Sequence, residues 1–119
     1  MLSAVDTFLS KDTVERCVAE YVYRHFFDIN VLGVFLSQKY EIPAMLKSGG
    51  VVIINTSSIL GQIAMPGAAV YNASKHAVEG ITKTTALELA ERGIRVNSVA
   101  TGSIATDMID RFAIPTWRS

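Results

Sequence analysis

Tyr71 and Lys75 stand four residues apart. In a helix that spacing puts both side chains on one face, with Cβ atoms about 5–6 Å apart. A lone phenol is a poor proton carrier near neutral pH. An ammonium about 5 Å away, at an effective dielectric near 20, favours the phenolate by about 3 kcal/mol. The two groups together therefore make a general acid/base. Upstream, Ser58 closes the run Val51–Ser58. A hydroxyl at the C-terminal end of a strand lies where an open α/β sheet forms its ligand crevice, and it can donate to a substrate oxygen. It can equally serve as a turn or cap. Asn30 reads as a polar member of this set or as a helix N-cap. Alone, the Tyr-x-x-x-Lys pair is a weak signal in a chain with four tyrosines.

The elements that must position these groups alternate helix and strand. Residues 12–27 form a helix candidate that Asp12 or Thr13 can cap. A second helix is expected over about 29–46, with Val31, Leu32, Phe35, Leu36 and Met45 on a wide apolar face. Pro43 inside it is expected to kink it or end its first part. After Gly49 and Gly50, Val51–Ile54 is an unbroken aliphatic run. It reads as a strand over about 51–56, buried on both faces as in parallel sheets. Residues 57–70 are a loop broken by Gly61, Pro66 and Gly67. The strongest helix is expected over about 70–92 and stops at Gly93. Gly80 lies mid-helix, which makes sense where another element packs closely. A second strand over about 94–99 follows, then the loop 100–105 and a short helical piece near 106–112. Strand, long helix, strand defines a βαβ unit of an α/β fold with parallel strands. Two strands alone leave both edges open for pairing.

Composition narrows the function classes. The chain has 119 residues and 12.9 kDa, the size of a single domain over 1–119. Lys+Arg and Asp+Glu are both 11, so the net charge is zero. That argues against nucleic-acid binding and against a polybasic membrane-surface site. Apolar residues make up 50%, charged residues 18%, and the mean hydropathy is +0.31. Neutral apolar surfaces associate, so contact with another chain is expected. Cys17 is the only cysteine, which excludes an intrachain disulfide and favours a reducing, cytoplasmic setting. One cysteine with His25 and His76 is too few soft ligands for structural zinc. Cys17 reads as a packing residue, His25 as a partly buried helix residue, and His76 as facing away from Tyr71. The start of the sequence carries no secretory signal, and no aliphatic run approaches a membrane span of about 20 residues.

Taken together, Asn30 in DINVLGVF, Ser58 in GGVVIINTSSILG, Tyr71 and Lys75 in YNASKHAVEG, and GIRVNSVATGSIATDM resemble the short-chain dehydrogenase/reductase family. The likeness covers about residues 24–110. It implies a partial Rossmann-like domain and hydride transfer between NAD or NADP and a small alcohol or carbonyl substrate. By this resemblance Tyr71 is the acid/base and Ser58 orients the substrate oxygen. Lys75 assists Tyr71 and binds the nicotinamide ribose, and Asn30 holds a water in the proton relay. Gly102, Ile104 and Thr106 match the loop beside the nicotinamide, although Thr101 stands where the family has proline. The family's T-G-x-x-x-G-x-G turn and its N-N-A-G stretch have no counterpart. The resemblance thus implies an incomplete cofactor-binding domain, with most of the pyrophosphate and adenosine site missing. It also implies subunit contacts through helices 29–46 and 70–92. An alternative follows: a catalytically inactive, truncated fragment serving as a dimerisation or interaction module.

Overall fold

The computed structural model describes residues 13–107. Helix α1 (Thr13–Phe27) runs through a π-helical turn (Asp28–Leu32) into α2 (Gly33–Lys47). Strand β1 (Val52–Ser58) leads into a 3-10 turn (Ile59–Gly61) and then α3 (Ala69–Leu89). A second 3-10 turn (Ala90–Arg92) ends that helix, Gly93 adopts φ 78°, and β2 (Arg95–Thr101) follows. Residues 108–112 of the expected helical piece, the residues before 13, the side chain of Cys17, and Trp117 lie outside the described residues.

β1 and β2 pair in parallel, from Val52 opposite Arg95 to Ser58 opposite Thr101. Side chains alternate across the sheet. Ile53 and Val96 point to one face and join Leu89 and Ile94 in the core, flanked by Ile42, Met45, Leu46 and Ala86 from the helices. Each fully buried aliphatic side chain contributes roughly 1.5–3 kcal/mol. On the same face the Asn55 amide donates to Thr82 Oγ1 at 2.9 Å, and Thr82 donates to the Val78 carbonyl at 2.8 Å. That chain of bonds fixes β1 against the middle of α3.

Three expectations are corrected and a fourth is narrowed. The aliphatic run is not buried on both faces: Ile53 is 6% exposed and Ile54 62%. Among the described residues α2 and α3 supply core cover on the Ile53 side, and the other face has none. Of the two outcomes expected at Pro43, the ending does not occur: α2 continues to Lys47. One missing backbone donor on an exposed turn is outweighed by Ile42, Met45 and Leu46 packing on the core on either side of it. Gly80 has nothing within 4 Å of where a Cβ would sit, so no described element packs on it. His25 is exposed and stacks beside Tyr21, with ring centroids 6.0 Å apart.

Candidate active site

The site forms where the C-terminal end of β1 meets the first turns of α3. The Lys75 ammonium donates to the Thr56 carbonyl at 3.2 Å, tying the helix to the strand's rim. The same Nζ lies 5.9 Å from the centre of the Tyr71 ring. Burial lowers the pKa of Lys75 from its ordinary value, because desolvation penalises the ammonium. One of its three N–H donors is used on Thr56, leaving two for other acceptors.

Asn30 enters from the other side. It lies inside the π-helical turn, so it is not a helix N-cap. The Gly33 N–H reaches back to the Asp28 carbonyl, the wide i→i+5 bond of such a turn. Turns of this kind recur at functional sites. The Asn30 amide donates to Ser74 Oγ at 3.0 Å, and the fully buried Ser74 hydroxyl donates to the Tyr71 carbonyl at 2.8 Å. The Phe26 ring, one turn before Asn30, stands nearly perpendicular to the Tyr71 ring at 74°, with centroids 5.6 Å apart.

Ser58 is 7% exposed at the end of β1. Its Oγ accepts the Leu60 N–H at 3.2 Å and caps the 3-10 turn. The cap uses an oxygen lone pair, so the hydroxyl hydrogen is left for an acceptor. Both readings of this serine are therefore compatible. Its opposite number in the register is Thr101. The exposed residues Gly102, Ile104 and Thr106 thus follow directly from the strand end beside Ser58.

A groove of about 520 Å³ runs along β1. Asn30, Glu41, Ile54, Thr56 and Lys75 are among its lining residues, whereas Tyr71 and Ser58 are not. His76 is exposed and bonds through Nδ1 to the Asn72 carbonyl at 2.8 Å, on its own helix. Among the described residues no group of three or more His, Cys, Asp or Glu side chains converges to hold a metal ion. No helix among them is long and apolar enough to cross a membrane.

Three contributors escape a motif reading: Ser74, Phe26 and Gly61. Phe26 carries a faint signal, because it precedes Asn30 by one helical turn and so shares its face. Gly61 reads only as loop punctuation. In the fold, a Cβ there would come within 2.8 Å of Ser57 Oγ and 2.9 Å of the Lys75 carbonyl. Its bare backbone lets the turn after β1 lie directly on α3.

Comparison with known proteins defines the family. The family model for short chain dehydrogenase matches residues 7–114. The chain belongs to that family. It is 48% identical over 90 residues to a cyclohexanol dehydrogenase of Acinetobacter sp. (strain SE19), covering 76% of this chain and 36% of that one. It superposes on a carveol dehydrogenase from Mycobacterium avium in complex with NAD with a TM-score of 0.71 and 38% identity, over 75% of this chain and 32% of that one. It matches ElxO with NADP bound with a TM-score of 0.71 and 33% identity, over 86% of this chain and 38% of that one. The chain thus spans about a third of the length of these relatives.

Proposed function

We propose that this chain carries the acid/base machinery of an NAD- or NADP-dependent oxidoreductase acting on a small alcohol or carbonyl compound. The observation that carries the reading is the Lys75 ammonium, anchored on the Thr56 carbonyl and 5.9 Å from the Tyr71 ring. Lys75 thus sets a positive charge beside the phenol, where an acid/base tyrosine would use it. The named functions of the relatives support the substrate class, and the NAD and NADP complexes support the cofactor class.

In alcohol oxidation, Tyr71 takes the hydroxyl proton of the substrate as the carbonyl forms. In reduction it returns a proton to the developing alkoxide. Ser58 donates its free hydroxyl hydrogen to the same oxygen while its lone pair stays on Leu60. Lys75 stands beside the Tyr71 ring and offers its remaining donors to ribose hydroxyls. Asn30, held through its amide nitrogen, keeps its side-chain carbonyl available for a water on the groove side. A nicotinamide group, when bound, supplies or accepts the hydride. The residues present fit its ribose and nicotinamide end: Lys75 has spare donors, and the exposed loop with Gly102, Ile104 and Thr106 follows the strand paired with Ser58. No glycine-rich turn for a pyrophosphate occurs in the sequence. The reading therefore expects weak binding by this chain alone. Thermal denaturation with NAD and with NADP tests it: one of them at millimolar concentration should raise the melting temperature, and no rise with either counts against the assignment. A single cysteine agrees with the reducing, cytoplasmic setting of this reading.

A second reading, as an association module, rests on the groove between α2 and α3. Phe35 there is 56% exposed, Gly80 faces open space, and the buried Gln38 amide nitrogen has no partner. Lys39 and Glu88 also line it, so two copies can oppose unlike charges across a two-fold axis. Light scattering at increasing concentration should show a dimer that Phe35→Glu disrupts. A monomer throughout counts against this reading.

A further inference from the structure

We propose that Phe26 is a positioning residue for Tyr71. The inference rests on the acid/base reading of Tyr71 and adds a side chain no motif contains. Helix packing fixes the Tyr71 backbone, and the Ser74 bond to its carbonyl reinforces it. The ring remains free to turn about its two side-chain torsions unless something stops it. Phe26 lies against the ring at 74° and 5.6 Å, an edge-to-face arrangement that aromatic pairs prefer. The Lys75 ammonium lies 5.9 Å from the same ring.

The other α1 aromatics pair within their own helix. Tyr23 stacks on Phe27 at 4.5 Å, and Tyr21 on His25 at 6.0 Å. Among the described residues, Phe26 is the α1 aromatic whose ring meets a ring of α3. Asn30 follows it by one turn and holds Ser74. One helix face thus grips Tyr71 at two points, by its ring and through the serine on its carbonyl. Both grips must hold for the phenolic oxygen to meet a substrate oxygen at hydrogen-bond distance.

The test uses the full chain grown with tyrosine carrying 13C at Cζ, the Tyr71 signal being the one lost in Tyr71→Phe. Phe26→Leu keeps apolar bulk but removes the ring, and it should move the Tyr71 signal. Phe26→Tyr should restore the wild-type position. Phe27→Leu, which breaks the neighbouring Tyr23 stack, should leave the Tyr71 signal in place. In turnover, Phe26→Leu should lower kcat by roughly 10- to 100-fold with KM unchanged, the scale of a misplaced catalytic group. An unmoved Tyr71 signal in Phe26→Leu, an equal response to Phe27→Leu, or an unchanged kcat overturns the proposal. A Tyr71 signal that answers to Phe26 in a chain without any turnover overturns the acid/base reading, and the positioning role with it, while the contact itself stands.

Discussion

The Asn30 amide and the Ser74 hydroxyl meet at 3.0 Å across 44 residues of sequence. This one bond joins the π-helical turn to the first turns of α3, and Ser74 passes the connection on to the carbonyl of Tyr71. A groove-side residue and the phenol-bearing turn are therefore tied together.

Removing the link should be costly. Ser74→Ala leaves the part-buried Asn30 donor without its partner, a loss of about 1 kcal/mol. Urea denaturation should show a lower midpoint with an unchanged slope. Turnover should fall more than the stability loss alone explains, because Asn30 and Tyr71 lose their common support.

Gly61→Ala should act on the same region through sterics. The new Cβ meets Ser57 Oγ and the Lys75 carbonyl inside contact distance, so the turn after β1 must lift from α3. Overpacking of this kind costs roughly 1–3 kcal/mol. The Lys75 to Thr56 bond should lengthen with it. Reduced stability together with weaker nicotinamide cofactor binding is the expected pair of results.

How much of this was legible beforehand follows from what each residue needs. The helix of Tyr71 and Lys75 and the two strands are set by local pattern, and their ends fall within three residues of where periodicity puts them. The order Asn30, Ser58, Tyr71, Lys75 pointed to a common site, and the fold brings Asn30 and Lys75 to one groove and links Asn30 to Tyr71 through Ser74. Exposure was misread at Ile54 because an aliphatic run records what a strand is suited to bury, not what covers it. Ser74 and Phe26 were invisible because their partners are 44 and 45 positions away in sequence, and only packing of α1 on α3 brings them together.

Lys75 should leave a signature in the pH dependence of stability. Its folded pKa lies below the ordinary lysine value because of burial. Between that lowered value and the unfolded one, the unfolded chain binds more protons, so stability rises with pH across this window. Below it, both states are charged and burial of the ammonium destabilises the fold by a constant amount. Lys75→Met should remove the rise, and unfolding midpoints of the two proteins measured from pH 7 to 11 should converge as pH increases. Parallel curves contradict this account of the side chain.

Glu79 and Ser98 hold the middle of the same helix to β2. The 7%-exposed Glu79 carboxylate accepts the Ser98 hydroxyl, with its two oxygens at 2.9 and 3.0 Å. Ser98→Ala strands a buried charge, at a cost of about 1–3 kcal/mol or more. Combining it with Glu79→Leu, which removes the charge as well, should recover part of the loss. A double-mutant cycle in thermal or urea unfolding reads that coupling directly.

The most direct test of the central claim compares the wild-type chain with Tyr71→Phe in steady-state oxidation of small alcohols, cyclohexanol among them, with NAD and with NADP. Loss of the phenolic oxygen should lower kcat by about 10²- to 10⁴-fold, with the fold and the cofactor-induced rise in melting temperature retained. A Tyr71→Phe chain that turns over as fast as wild type, or a wild-type chain that turns over none of these alcohols, contradicts the assignment of Tyr71 as the acid/base.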